Sequence, residues 1–174
     1  MKQKGFTIVE LLVVVGIIAL LTTLALASFN YARNKSKREK TRHDITVIHN
    51  AIVMLASDSN EWPGHQEVLE LGGAVPNNEY CADGCANSLA SDMAGLEGTD
   101  GNFSGWNGPY LNETLEDPWG NEYFFDTDYE INIDDEPCDG GGACITAAVV
   151  GSYGPDGSGN NQYNSDDIIK ILVK

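Results

Sequence analysis

The stretch "FTIVELLVVVGIIALLTTLALASF" (residues 6–29) decides the fold of this chain, and Glu10 is its only charged residue. A helix over those 24 residues spans roughly 36 Å, which is enough to cross a bilayer core of about 30 Å. A carboxylate inside lipid costs about 2.5–3.5 kcal/mol on insertion scales, so an acid in such a run is by default functional. The stretch therefore predicts a membrane-spanning helix with one functional acidic residue.

Two other interpretations of this run explain less. A cleavable secretory signal has a shorter apolar region and a small-residue cleavage site after it. Here the run is long, and Ala25, Ala27 and Ser28 match such a site only loosely. An ordinary membrane anchor accounts for the apolar residues but leaves Glu10 without a role.

The charges are divided unevenly along the 174 residues, a length that allows one modest domain and one extra element. Of the ten Lys and Arg residues, two precede the apolar run, six lie at 33–42, and the last two are Lys170 and Lys174. All but two of the 26 Asp and Glu lie at 43–169, and the net charge is -16. This acidic region repels phosphate backbones, which excludes nucleic acid as its partner, and it suits hard cations.

The segment "KGFTIVELLVVVGIIALL" (residues 4–21) resembles the processing site and N-terminal helix of type IV prepilins and type II secretion pseudopilins. The resemblance implies a leader at 1–5, cleavage between Gly5 and Phe6 by a prepilin peptidase, and N-methylation of Phe6. It also implies that Glu10 neutralises the N-terminal amine of a neighbouring subunit in a helical filament. Unlike many pilins, the run contains no proline.

The basic residues at 33–42 conflict with the expected topology. By the positive-inside rule they would keep the C-terminal part in the cytoplasm. The prepilin motif is the more specific signal, so we expect one pass through the inner (cytoplasmic) membrane and an extracytoplasmic head, followed by a periplasmic or cell-surface filament. The basic segment is expected to continue the helix and to meet lipid headgroups or acidic heads of adjacent subunits.

An apolar stripe extends the predicted helix beyond the membrane. Ile45, Ile48, Ile52 and Leu55 recur at helical spacing, so residues 30–57 read as an amphipathic continuation. One helix is therefore predicted from about Thr7 to Ser57. Three histidines lack ligand-type spacing and are expected at surface or satisfied positions: His43, His49 and His65.

Residues 58–174 form the predicted head. They are rich in Gly, Asn and Asp, and short apolar segments at 122–125, 129–133, 145–150 and 167–173 predict strands separated by turns. The predicted fold class is α+β, a type IV pilin-like fold with the long helix packed on a small antiparallel sheet and a C-terminal calcium loop.

Three head segments narrow the resemblance to major pseudopilins. They are "SNEWPGHQEVLEL" (59–71), "GPYLNETLEDPWGNEYFF" (108–125) and "GSYGPDGSGNNQYNSDDI" (151–168). The last resembles the family's calcium loop. Residues 77–107 and 134–144 match no recognised pattern and read as insertions.

The calcium loop also has a chemical argument. Calcium takes about six to eight oxygen ligands, and Asp156, Asp166 and Asp167 supply carboxylates. The resemblance adds the main-chain carbonyls of Tyr153 and Asn164, although the spacing from Asp156 to Asp166 is longer than in the family.

Two other interpretations of the loop remain. An EF-hand is disfavoured because Asn161 occupies the position of the required Gly, Asp167 replaces the final Glu, and strands flank the loop. A solvated turn rich in Asp and Asn is the plainer alternative.

Four cysteines, Cys81, Cys85, Cys138 and Cys144, predict two disulfides in an extracytoplasmic head. Local pairs Cys81–Cys85 and Cys138–Cys144 are favoured because each closes a Gly-rich loop. Cross-pairs remain open, and a four-Cys zinc site fits the spacings only loosely.

No GxSxG, Walker loop, HExxH or supported Cys–His pattern is present, so we expect no enzyme. The favoured function is a structural subunit of the pseudopilus of a type II secretion system. A type IV pilus for adhesion, motility or DNA uptake is the alternative, and a non-polymerising calcium-binding membrane protein is an alternative of another class. The resemblance implies a peptidase, an assembly ATPase, inner-membrane platform proteins and minor pilins or pseudopilins as partners.

Overall fold

The computed structural model describes residues 7–68, 88–113, 116–132, 134, 138, 144–159, 162–164 and 166–174, without the side chains of 24–27. The chain divides into two compact units, Met1–Lys37 and Arg38–Lys174. The predicted leader, the Gly5–Phe6 junction and the Cys81 and Cys85 pair lie outside the described residues.

Helix α1 (Ile8–Ser59) confirms the prediction of one long helix. Its sequence contains no proline, and Gly16 is its one glycine. Within the first unit its apolar side chains are exposed, from Ile8 to Leu21. Among the described residues, this is the one helix long and apolar enough to cross a membrane, judged by length and composition.

The second unit contains the sheet. Strands β3 (Phe124–Asn132), β4 (Cys144–Ser152) and β5 (Ile168–Val173) form an antiparallel sheet in the order β3-β4-β5. A separate hairpin of two-residue strands, β1 (Glu61–Trp62) and β2 (Gln66–Glu67), follows the helix and was not predicted. This architecture confirms the predicted α+β class.

Strand β3 corrects one expectation. The segments at 122–125 and 129–133 were predicted as separate strands, but residues 124–132 form one strand with a bulge between Asp126 and Tyr129. Three steps along β3 there match two steps along β4, from Val149 to Ala147. The Asp126 carboxylate accepts a hydrogen bond from the Asp128 amide at 2.8 Å, which turns the chain locally without ending the strand.

Strand β3 contributes to two apolar clusters, and the bulge keeps Tyr129 in the same cluster as Phe124. Phe125 belongs to the helix-side cluster with Ala148, Val150 and the buried stripe of α1. Phe124, Tyr129 and other side chains form a second cluster on the opposite side of the sheet. Because side chains alternate along a strand, residues 124 and 129 would face opposite ways without the extra residue.

The predicted α1 stripe is buried as expected: Ile45, Ile48, Ile52 and Leu55.

Candidate functional site

Glu10 closes a capping box at the start of α1. Its carboxylate accepts hydrogen bonds from the amide and the hydroxyl of Thr7 at 2.8 and 2.7 Å. The Glu10 amide donates in return to the Thr7 hydroxyl at 3.3 Å. A Thr with a Glu three residues later satisfies two amides that a helix start leaves without partners.

Sequence reasoning missed this second role of Glu10. The Thr-x-x-Glu spacing that announces a capping box is visible at Thr7–Glu10. The acid therefore has a partner within its own chain, in the first turn of the helix. Its predicted pairing with a neighbouring subunit stays a prediction.

Part of the basic segment pairs within α1. The Lys40 ammonium lies 2.7 Å from the Asp44 carboxylate, and Arg42 lies 3.0 Å from Glu39. Asp44 also accepts a hydrogen bond from the Tyr123 hydroxyl at 3.0 Å. Asp44 is buried, so this network ties the helix to the residue before β3.

The predicted calcium loop begins on an aromatic stack. Tyr153 is buried, and its ring stacks on Phe124 with centroids 4.3 Å apart. A short 3-10 helix, Gly154–Asp156, follows it. A Cβ on Gly154, whose φ is +68°, would lie 2.3 Å from the Asp166 carbonyl oxygen. Glycine at 154 therefore lets the two ends of the loop approach each other.

The other predicted ligands are arranged by local hydrogen bonds. The exposed Asp156 accepts from the Ser158 amide at 2.9 Å. The Asn164 side-chain oxygen accepts from the amides of Asp166 and Asp167 at 3.0 and 3.3 Å. The Asn164 side chain is thus committed to the turn, which is consistent with a role for its main-chain carbonyl.

Asp167 is the buried member of the set. One oxygen, Oδ2, accepts from the Tyr129 hydroxyl at 2.7 Å and from the Asn164 amide at 2.9 Å. The other, Oδ1, is buried and has no hydrogen-bond partner among the described residues. Burial, together with the charges of Asp166 and Asp156, raises the pKa of Asp167 to about 6 against the hydrogen bonds, which lower it.

These features fit calcium in donor type and charge, although not as a ready-made cage. Among the described residues, no three His, Cys, Asp or Glu side chains are grouped so that they could hold a metal ion. A buried carboxylate oxygen without a partner is nevertheless costly, and a cation would satisfy it. Calcium at this loop stays a prediction.

The Asp-Pro-Trp-Gly-Asn turn supports the loop from one side. The buried Asp117 carboxylate accepts from the amides of Trp119 and Asn121, each at 2.9 Å, and from the Ser152 hydroxyl at 2.7 Å. The Asn121 amide group donates to the Gly154 carbonyl at 3.4 Å. The turn is thereby fixed to the strand end from which the loop departs.

The disulfide supports the loop from the other side. Cys138 and Cys144 are bonded, which is the local pairing that the sequence favours. The Cys138 amide donates to the Tyr163 carbonyl at 2.8 Å, and the Tyr163 amide donates to the Glu130 carbonyl at 2.8 Å. Segment 162–164 is thus held between β3 and the disulfide loop.

His65 lies in a satisfied position, as expected. Its Nδ1 lies 2.5 Å from Glu61 and its Nε2 lies 3.2 Å from Asp100. The ring stacks on Phe103 with centroids 3.9 Å apart. The two carboxylates lie on different ring nitrogens, so the arrangement pairs charges and does not converge on a metal.

Comparisons with known proteins find the family that the N-terminal motif resembles. The family model for the prokaryotic N-terminal methylation motif matches residues 1–26. The chain is 29% identical over 122 residues to the type II secretion system core protein G of Escherichia coli (strain K12), covering 70% of both chains.

Two further relatives carry the same name. The protein of Pectobacterium carotovorum subsp. carotovorum is 29% identical over 101 residues, covering 55% of this chain and 65% of the relative. That of Aeromonas hydrophila is 26% identical over 122 residues, covering 70% and 71%. No solved structure matches the chain. The matches confirm the resemblance to the pilin and pseudopilin family.

Proposed function

Given this family resemblance, we propose that the chain is a structural subunit of a type II secretion pseudopilus, cut by a prepilin peptidase and polymerised from the membrane. The observation that carries the proposal is the coincidence of the methylation motif at 1–26 with an exposed apolar first part of α1, in which Glu10 is the one acid between Ile8 and Phe29. The exposed side chains from Ile8 to Leu21 suit lipid before assembly and neighbouring helices after it.

The proposed chemistry is charge pairing in a low dielectric. Cleavage after Gly5 would create an amine at Phe6, which is methylated and remains cationic. A carboxylate and an ammonium together are far less costly in an apolar filament core than either charge alone. Glu10, held in the first helical turn by Thr7, would pair with the amine of the next subunit and so set the register of each addition.

The proposed location of the head is extracytoplasmic. The Cys138–Cys144 disulfide supports it, because disulfides persist in oxidising compartments. With no nucleotide-binding motif in the sequence, assembly would depend on a separate ATPase and platform. Minor pseudopilins complete the proposed set of partners.

Substituting Glu10→Gln tests the proposed assembly. We expect unchanged membrane insertion and at least about a tenfold loss of filaments, because a buried amine would lose its counter-charge. The measurement is electron microscopy and shearing of cells that overexpress the full chain. Glu39→Gln, which removes an exposed acid of the same helix, is the matched control and should assemble normally.

A second control separates pairing from capping. Thr7→Ala removes the capping hydroxyl at a cost of about 1 kcal/mol but keeps the acid, so filaments should persist. Normal filaments with Glu10→Gln would contradict the assembly role. A wild-type chain that never forms filaments would favour a non-polymerising calcium-binding membrane protein.

We further propose that the 153–167 loop binds calcium. Asp156, Asp166 and Asp167 would supply carboxylates, and Tyr153 and Asn164 would supply carbonyls. The unpartnered Oδ1 of Asp167 is the supporting observation. A bound cation would neutralise charge in the acidic head and hold the two ends of the loop together.

Titration of the full chain in detergent with calcium chloride tests this site. We expect a calcium-dependent rise in Tm, because a ligand that binds the folded state stabilises it. Asp167→Asn should lower the affinity by at least about tenfold. Asp134→Asn, at an exposed acid outside the loop, should leave it unchanged. Calorimetry without binding heat would favour a solvated turn.

A further inference from the structure

Tyr129 and Asp167 form a buried pair that the proposed ligand set leaves unexplained. Both are buried, and the Tyr129 hydroxyl donates to Asp167 Oδ2 at 2.7 Å. The Gln162 carbonyl lies farther from the same hydroxyl, at 3.3 Å. A hydroxyl has one proton to donate, so the shorter contact to the carboxylate takes it.

This hydrogen bond fixes which oxygen of Asp167 is available. Oδ2 receives two donors, Tyr129 and the Asn164 amide. Oδ1 has none among the described residues and is buried. A carboxylate held by one oxygen presents the other in one direction, as outer partners do for metal ligands.

The Tyr129 ring reaches the other end of the loop through aromatic contacts. Its centroid lies 5.2 Å from that of Phe124, which in turn stacks on Tyr153. The β3 bulge places Tyr129 and Phe124 in the same cluster. One aromatic cluster therefore supports two of the proposed ligands, Tyr153 and Asp167.

We propose that Tyr129 is a positioning residue for calcium, holding Asp167 Oδ2 so that Oδ1 faces the ion. The inference rests on the calcium site proposed above and adds a residue from outside the loop. Tyr129 lies 38 positions before Asp167 and would act on the ion through the Asp167 carboxylate.

Comparing Tyr129→Phe with Tyr123→Phe tests the proposal. Each variant removes a buried tyrosine hydroxyl that donates to a buried aspartate, Asp167 in one case and Asp44 in the other. Calcium chloride is titrated into the full chain in detergent, by calorimetry, and Tm is measured in EDTA. We expect Tyr129→Phe to raise the Kd for calcium by about 10–100-fold. Tyr123→Phe should lower Tm in EDTA and leave the Kd unchanged.

The outcomes distinguish the positioning role of Tyr129 from calcium binding itself. Equal affinities of the wild type and Tyr129→Phe would overturn the positioning role while calcium binding stands. Equal losses in both variants would also overturn it, since they would reflect general destabilisation. A wild type that does not bind calcium would overturn the site and this inference together. If Tyr129→Phe unfolds in EDTA, the dependence of Tm on calcium concentration gives the same comparison, because binding and folding are then linked.

Discussion

At the scale of one residue, His65 makes the stability of the folded head depend on pH. Burial alone would lower the pKa of His65, but its hydrogen bonds with Glu61 and Asp100 and their charges raise the pKa above its usual value. The folded head therefore binds a proton that the unfolded chain releases earlier as pH rises. This stabilisation is fully present below about pH 6.5 and is lost as pH rises through the raised pKa.

Substituting His65→Asn should remove this dependence. Asn tolerates the positive φ of 60° at this position, so the backbone is kept. We expect the loss of stability to be about 0.5–1 kcal/mol larger at pH 5.5 than at pH 8.5, because the pair is partly exposed, whereas the lost stacking on Phe103 costs stability at both pH values. Thermal unfolding of the full chain, followed by near-ultraviolet circular dichroism across that range, measures it.

His49 is a control of opposite sign. Burial lowers the pKa of His49, so its cost to stability grows as pH falls below about 6.5. Relative to the wild type, His49→Asn should therefore be more stable at pH 5.5 than at pH 8.5. A His65→Asn variant whose stability difference from the wild type did not change with pH would contradict the assigned contacts.

At the scale of elements, the disulfide fastens the connection between β3 and β4. It closes a loop with a sequence separation of 6, and Cys138 also holds the Tyr163 carbonyl. Removing it by Cys138→Ser with Cys144→Ser should cost about 2 kcal/mol from loop-closure entropy. We expect Tm to fall by roughly 4–8 °C.

A comparison variant replaces the other two cysteines, Cys81→Ser with Cys85→Ser, which are predicted to form the second disulfide, and non-reducing peptide mass spectrometry identifies the pairs. A crossed pairing in the native protein, or an unchanged Tm after the Cys138 and Cys144 substitutions, would contradict this account of the disulfide.

At the scale of the whole molecule, local patterns predicted the helix better than the sheet. The stripe from Ile45 to Leu55 recurs at spacings of three and four residues, so one window of sequence contains the whole signal. The continuity of β3 cannot be predicted from a single window of sequence, because a bulge is defined by the partner strand. Asp126 and Tyr129 are offset only in relation to β4.

The candidate site likewise contains residues that the sequence could predict and one that it could not. The acids of the 153–167 loop could be named from composition and resemblance, since they are neighbours in sequence. Tyr129 could not, because its contact with Asp167 spans 38 positions and leaves no periodic trace. The Thr7–Glu10 capping box was readable from its spacing, but the assembly role that the resemblance implies for Glu10 already offered a reason for the acid.

The bulge in β3 has one more consequence, for anyone who redesigns this protein. Deleting Thr127 or Asp128 would remove the extra residue, so two steps along β3 would match two along β4 and Tyr129 would keep its pairing with Ala147. Tyr129 and Ile131 would then remain on the side of Phe124, and Glu130 would remain outside that cluster. The bulge is thus a place where the strand can lose one codon and keep the faces of all its later residues.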